Sequence, residues 1–196
     1  MATGFGLRLV GRLGGGEPHV QRYHVPASNS GALYVGDLVK VPNTTGVMDT
    51  AGEYIDITIV ANADDVVLGV IVGFKPDPSL PYTGHYRAAS TERYVDVCDD
   101  PNAIYEVQED ADGGVVTAAL VGALSNADAI YAAGSTATGL SGTMLDSSSA
   151  AASALQLKIL GVRQDNVNVA AQTGGAILLV RILSAQHALV ATDSQL

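Results

Sequence analysis

Tryptophan is absent from this 196-residue chain, phenylalanine occurs twice and cysteine once. A single cysteine, Cys98, cannot close an internal disulfide, which excludes a stapled secreted scaffold. Its setting, YVDVCDD at 94–100, fits a strand end and a small buried hydrophobe rather than a reactive thiol. Long hydrophobic runs are missing as well. No stretch approaches the ~18 apolar residues of a membrane span. The opening MATGFGLRLVGRLGGGEP breaks its apolar runs with glycine, unlike a signal peptide. The expectation is a protein that folds in a reducing cytoplasm and has no membrane partner.

Charge is also scarce. Asp, Glu, Lys and Arg make up 15% of the chain, against about 25% in ordinary domains. Ser, Thr, Asn, Gly and Ala must therefore cover much of the exterior, or a partner must. Ten basic residues against twenty acidic ones leave a net charge of -10, which argues against a nucleic-acid binder. No Lys or Arg lies between Arg93 and Lys158, a stretch that holds Asp96, Asp99, Asp100, Glu106, Glu109, Asp110, Asp112, Asp128 and Asp146. Such an asymmetry could steer docking onto a basic surface.

Catalytic signatures are lacking: GxSxG, HExxH, GxxxxGK[ST] and CxxC do not occur. The glycine-rich GRLGGGEP has no Lys-Ser/Thr and no strand-to-helix context for a phosphate. His19 and His24 flank one strand without a third ligand nearby, so zinc is not expected. The acidic groups 96/99/100 and 106/109/110/112 do not make a calcium loop, because EDADGG has glycine at its fifth position and no closing glutamate. A glycosidase using paired carboxylates stays open on spacing, although the aromatics that commonly line such clefts are few. No cofactor or metal is expected.

What is present is β pattern. Strand candidates fall at 5–11, 19–25, 33–41, 53–60, 66–74, 92–100, 103–110, 155–162 and 174–183. In LYVGDLVKV at 33–41 the awkward Asp37 predicts a bulge or turn at Gly36–Asp37. EYIDITIV alternates, with Ile55, Ile57 and Ile59 on one face and Tyr54, Asp56 and Thr58 on the other. VVLGVIVGF at 66–74 is apolar on both faces, as in a central strand or one covered by a partner. Its Gly69 and Gly73 suggest bends or close backbone approach. KPDPSLPYTGHY at 75–86 is a stiff loop carrying Tyr82 and Tyr86 as contact candidates. The spacing around Pro101–Asn102 predicts that 92–100 and 103–110 form an antiparallel pair. VVTAALVGA and SNADAIYAAG fit strand or short helix, the latter capped by Ser125 or Asn126, and SSSAAASA at 147–154 is helix-permissive. The tail from Ser184 is expected to end exposed. The fold class is therefore mainly β, an antiparallel β-sandwich or β-barrel (a jelly roll included) with a few short helices. ADGG at 111–114 divides a β-rich N-terminal region, 1–112, from an Ala/Gly/Ser-rich β region, 113–196, which can belong to the same domain.

Six segments together resemble a known family: YHVPAS at 23–28, LYVGDLVKV at 33–41, GVIVGF at 69–74, YRAASTERYVDVCDDPNAIYEVQED at 86–110, TGLSGTMLDSSSA at 138–150 and LQLKILGVRQDN at 155–166. The sequence is similar to head decoration, cement or minor capsid proteins of tailed bacteriophages. The family pattern continues into AxxxVxINxH. Here GGAILLVRILSAQH ends at His187, with Leu183–Ser184–Ala185 in place of the Asn-rich piece, so C-terminal contacts do not carry over.

The resemblance implies a non-enzymatic protein, made in the bacterial host cytoplasm, that sits on the outer capsid surface of the virion. It would bridge neighbouring major capsid subunits, working as a homodimer or homotrimer through multivalent contact. From chemistry and chain position, the candidate contacts are Tyr82, Tyr86, Arg87 and Arg93, then Arg8 and Arg12 on the N-terminal arm. The competing readings are a head-associated fibre or host-attachment protein that binds glycans, a tail or neck component, and a small hydrolase.

Overall fold

The structure is a computed structural model that describes residues 4–42, 48–76, 84–110, 124–151, 155–164 and 175–190. Thirteen strands run through these residues: Arg8–Arg12 (β1), Val20–Val25 (β2), Leu33–Tyr34 (β3), Leu38–Lys40 (β4), Thr58–Ile59 (β5), Gly69–Phe74 (β6), Tyr86–Arg87 (β7), Arg93–Cys98 (β8), Ala103–Gln108 (β9), Asn126–Ile130 (β10), Met144–Ala151 (β11), Leu157–Val162 (β12) and Ile177–Ile182 (β13). The one helical element among them is a 3-10 turn, Ser184–Gln186. The protein is thus mainly β, built from antiparallel sheets.

A six-stranded sheet has the order β1-β9-β13-β12-β10-β11, a five-stranded sheet the order β2-β8-β6-β4-β5, and β3 pairs with β7 alone. The six-stranded sheet takes strands from both sides of residue 112. A bridge between Glu109 and Leu145, with the Asp110 N–H donating to the Leu145 carbonyl at 3.1 Å, brings β11 back to the end of β9.

Strand alternation predicts burial well on β12 and β13. Leu157 and Ile159 on β12, and Leu178, Val180 and Ile182 on β13, all enter the larger core with Tyr105 and Val107 of β9. The two-faced strand proves to be central. β6 lies between β8 and β4, with Val70 in the larger core and Ile71 in a second cluster with Val25, Val39 and Val97. The chain itself covers both faces, so β6 supplies no argument for a partner. Gly69 is the close approach expected of it: a Cβ there would lie 2.2 Å from the Cys98 carbonyl oxygen. Gly73 stands at a register shift in the β6–β8 ladder.

Several expectations are overturned. Segments 92–100 and 103–110 do form strands, but they do not pair: β8 belongs to the five-stranded sheet and β9 to the six-stranded one. The turn at 99–102 is a corner at which the chain changes sheets. It is set by the Asp100 carbonyl accepting from Ala103 N–H and the Asp100 carboxylate accepting from Asn102 N–H. Of the two alternatives for SNADAIYAAG the strand is the one that forms, and the described part of SSSAAASA, 147–151, is strand rather than helix. They contribute β10 and β11, which pair with each other from Asn126–Ala151 to Ile130–Met144. Ladder partners override the weak helical preference of the alanines. At 53–60 the alternation fails: Ile55 is exposed and Asp56 buried, because the Asp56 carboxylate is drawn in by the His24 ring at 2.6 Å. The start of the tail is held in the fold, with His187 fully buried and bridging Val67, while its end, residues 191–196, where exposure was expected, lies outside the described residues. VVTAALVGA, residues 115–123, lies outside the described residues.

The break at Gly36–Asp37 is as expected. Gly36 has φ +94°, and the Asp37 carboxylate folds back to accept the Tyr34 N–H at 2.7 Å. Burial pushes this carboxyl up from 3.8 to about 6. A carboxyl raised in the folded state favours folding most when protonated, below about pH 4, and that contribution is lost as the pH rises through about 6. Asp37→Asn, neutral throughout, should therefore gain roughly 2–3 kcal/mol on the unmodified chain between pH 4 and pH 7.5, measured by urea unfolding at both values. Burial depresses the His187 imidazole, which slopes the other way and cancels in the difference. A difference that stays flat with pH would refute the buried charge.

Candidate binding surface

The candidate contacts are best located by following the N-terminal strand. β1 is an edge strand, paired only with β9. A register shift between Leu9 and Gly11 breaks its alternation, a bulge of the kind that re-aims side chains. Leu7 is buried and Leu9 packs partly against the core, while Val10 turns outward at 49% exposure and Leu13 follows at 40%. Beside the strand lies a groove of about 230 Å³ lined by Phe5, Leu9, Val35, Val72 and Leu140, with Arg8 at its rim. Leu140 is itself 40% exposed. Two glycines allow this arrangement. Gly6, at φ +76°, packs so closely on Gly36 that a Cβ would sit 2.9 Å from the Gly36 Cα, and the Leu7 N–H donates to the Gly36 carbonyl.

Arg8 and Arg12 are anchored on this surface rather than free. Arg8 pairs with Glu106 across the β1–β9 ladder and stacks 5.2 Å over the Phe5 ring. Arg12 donates to Asp100 at 2.6 Å and to the Gly15 carbonyl at 3.2 Å. The corner at 99–102 thereby holds both neighbouring edges. Asp100 takes Arg12 of β1 and the His19 N–H, while Asp99 accepts the Tyr23 hydroxyl of β2 at 2.6 Å and faces the His19 ring. Asp99 raises the His19 imidazole through its hydrogen bond and charge. Burial works against the Asp100 carboxylate, but the Asn102 N–H, the Arg12 guanidinium and the His19 N–H outweigh it and hold that group low.

Part of the acid-rich middle of the sequence is thus paired in space with distant bases. Asp96 pairs with Arg22, Asp100 with Arg12, and Glu106 with both Arg8 and Arg163. Glu109 is buried, accepting from the Ser147 hydroxyl at 2.7 Å and the Gly175 N–H. These carboxylates diverge to separate partners, and no group of three or more His, Cys, Asp or Glu among the described residues is placed to hold a metal ion. Asp112 lies outside the described residues. No helix among them is long and apolar enough to cross a membrane.

The other candidates fare differently. Tyr82 lies outside the described residues. Tyr86 is half-buried and stacks on Tyr34, with ring centroids 5.6 Å apart. Arg87 was expected at the surface, yet it is fully buried. Its guanidinium donates to the carbonyls of Thr91, Gly31, Pro26 and Asn29, at 2.6, 3.0 and 2.8 Å for the Thr91, Pro26 and Asn29 bonds. Arg93 is buried too, donating to the carbonyls of Tyr86, Lys75 and Gly84, with its guanidinium 5.6 Å from the Phe74 ring. Both arginines tie loops of their own chain together and present no guanidinium outward. Sequence reasoning missed Phe5, Val10, Leu13 and Leu140, whose only local signal was apolar side chains among glycines.

No family model matches the chain, and no curated protein or solved structure matches it.

Proposed function

We propose that this chain is a non-enzymatic decoration protein of a tailed-phage head, which binds the outer face of the major capsid protein and bridges neighbouring subunits. The identity of the partner rests on the resemblance carried by the six segments between Tyr23 and Asn166. The observation that carries the binding role is the apolar edge at β1, which exposes Val10, with Leu13 just after it, and whose Leu9 helps line the Phe5–Leu140 groove. An edge strand with unpaired backbone groups and apolar side chains is a surface suited to strand addition or docking. Arg8 and Arg12, neutralised by Glu106 and Asp100, would lie at the polar rim of that contact rather than at its centre. On this reading the larger sheet curls toward closure through the Glu109–Leu145 bridge, and the protein works as a dimer or trimer on a capsid symmetry axis.

The test is a reconstruction of the intact particle by electron cryomicroscopy, with copy number from quantitative mass spectrometry. Hundreds of copies bridging capsid subunits support the proposal. A handful of copies at the tail, or none in the particle, overturns it. The double variant Val10→Asp/Leu13→Asp should lower occupancy roughly tenfold or more, a loss of about 1.4 kcal/mol. Its unfolding midpoint should barely move, since exposed substitutions usually stay within about 0.5 kcal/mol. Unchanged occupancy would remove β1 from the contact.

A further inference from the structure

A second concavity, distinct from the β1 groove, lies beside the Gly36–Asp37 turn. It holds about 210 Å³ and is lined by Tyr34, Asp37, Ile59, Val60, Tyr131 and Thr143, with small residues including Ala61 and Ala132. Asp37 is the only charged residue in this lining. The residue is 2% exposed, and no described cationic side chain pairs with it: Lys40, at the end of β4 three residues on, is engaged by Asp65 instead. Its partners are neutral, the Tyr34 N–H at 2.7 Å and the Ser141 hydroxyl.

A buried carboxylate with no counter-charge is costly, and proteins tend to break a local rule of this kind where a ligand restores the balance. The remaining walls define what that ligand is. Ile59, Val60 and the alanines offer apolar surface, and Tyr34 and Tyr131 add aromatic rings. The Tyr34 ring is pinned against Gly134, where a Cβ would come within 2.3 Å of it. A bare divalent ion is unsuited, because calcium needs about six to eight oxygens and magnesium a near-ideal octahedral set. A guanidinium is disfavoured because Asp37 Oδ2 already accepts the Tyr34 N–H, which obstructs the two-oxygen fork it prefers. An ammonium is a point charge that needs one carboxylate oxygen, gains from aromatic faces, and carries a stem that apolar walls can cover. The cavity has room for roughly seven water-sized groups, enough for a butyl chain.

We infer that this pocket is a receptor for a primary ammonium on a short alkyl stem, with Asp37 as its anion. That chemistry belongs both to free alkylamines and to a lysine side chain projecting from another protein. The inference stands apart from the capsid reading.

The test is a titration of the full chain, isotopically labelled, with n-butylammonium at pH 7.5 and about 0.15 M salt. At that ionic strength the Debye length is about 8 Å, which screens the general pull of the net charge. The Tyr34, Asp37 and Thr143 amide resonances should shift saturably, with Kd roughly millimolar. Uncharged 1-butanol, of nearly the same shape, should bind at least tenfold more weakly, and Asp37→Asn should show the same loss. Ala61→Trp, at an exposed rim position, should block binding without touching the carboxylate. If Asp37→Asn does not fold, the butanol comparison and Ala61→Trp still decide. A parallel titration with Nα-acetyl-lysine amide separates the sources. Binding of both amines admits a partner's lysine, and binding of butylammonium alone assigns a free amine. Equal binding of butanol and butylammonium, or no saturable shift up to about 100 mM, overturns the inference.

Discussion

Arg87→Ala should remove roughly 4 kcal/mol or more from the unfolding free energy, the largest loss expected of any single side chain here. The guanidinium is fully buried and bonds to four backbone carbonyls. Pro26, Asn29 and Gly31 belong to the loop after β2, and Thr91 to the turn before β8, so one side chain fastens two irregular segments. Each buried carbonyl left without a donor costs about 1–3 kcal/mol, and water can repay only part of that. Burial pushes the guanidinium's proton affinity down, but the four oxygens supply the partial negative charge it needs. Two controls separate hydrogen bonding from volume. Arg87→Met fills the space without donors and should be as damaging as alanine to within about 1 kcal/mol. Arg87→Lys keeps the charge but cannot span the fork, and should recover less than half of the loss. Urea unfolding reads all three. A loss under about 1 kcal/mol for the alanine variant would mean that the loops hold without the arginine.

The second large effect is expected at Gly69, on the central strand β6. An added Cβ would meet the Cys98 carbonyl oxygen at 2.2 Å and Val97 Cγ1 at 2.8 Å. The first neighbour is backbone and cannot rotate away, and β6 is held on both sides by β8 and β4. Gly69→Ala must therefore part the β6–β8 ladder at Val70–Cys98, and should cost roughly 3 kcal/mol or more, the range of severe overpacking. Gly161 on β12 is the internal control. A Cβ there meets nothing within 4 Å, so Gly161→Ala should be neutral or gain up to about 1 kcal/mol from the stiffer unfolded chain. The contrast between the two substitutions reports the close approach, whereas equal effects would reduce it to an ordinary strand glycine.

Local pattern determined a good part of this protein. The positions of β2, β12 and β13, the interruption at Gly36–Asp37 and the two-faced run around β6 were all legible, because each depends on neighbours two to four residues away. Cys98 likewise sits in the core as its setting suggested. The partners were not legible. β8 and β9 are separated by four residues yet join different sheets, while β1 pairs with β9 across most of the first half of the chain. A strand's hydrogen-bonding edges are chemically alike along its length, so its sequence announces extension without announcing what lies alongside.

Site residues failed for a related reason. Arg87 and Arg93 look like surface arginines in sequence, since a long charged side chain is rarely buried alone. Only the folded chain gathers the carbonyls of 26–31, 75, 84–86 and 91 around them, and those acceptors belong to no motif. Asp56 moved inside and Ile55 outside because His24, more than thirty residues earlier, supplied a partner for the carboxylate. The sequence alone therefore determined where strands run and which of their faces are apolar, since both follow from a period-two repeat. Tertiary structure decided which strands meet, which charges are neutralised and which apolar residues remain on the exposed edge at β1, because each of those depends on groups brought together across the chain by folding itself.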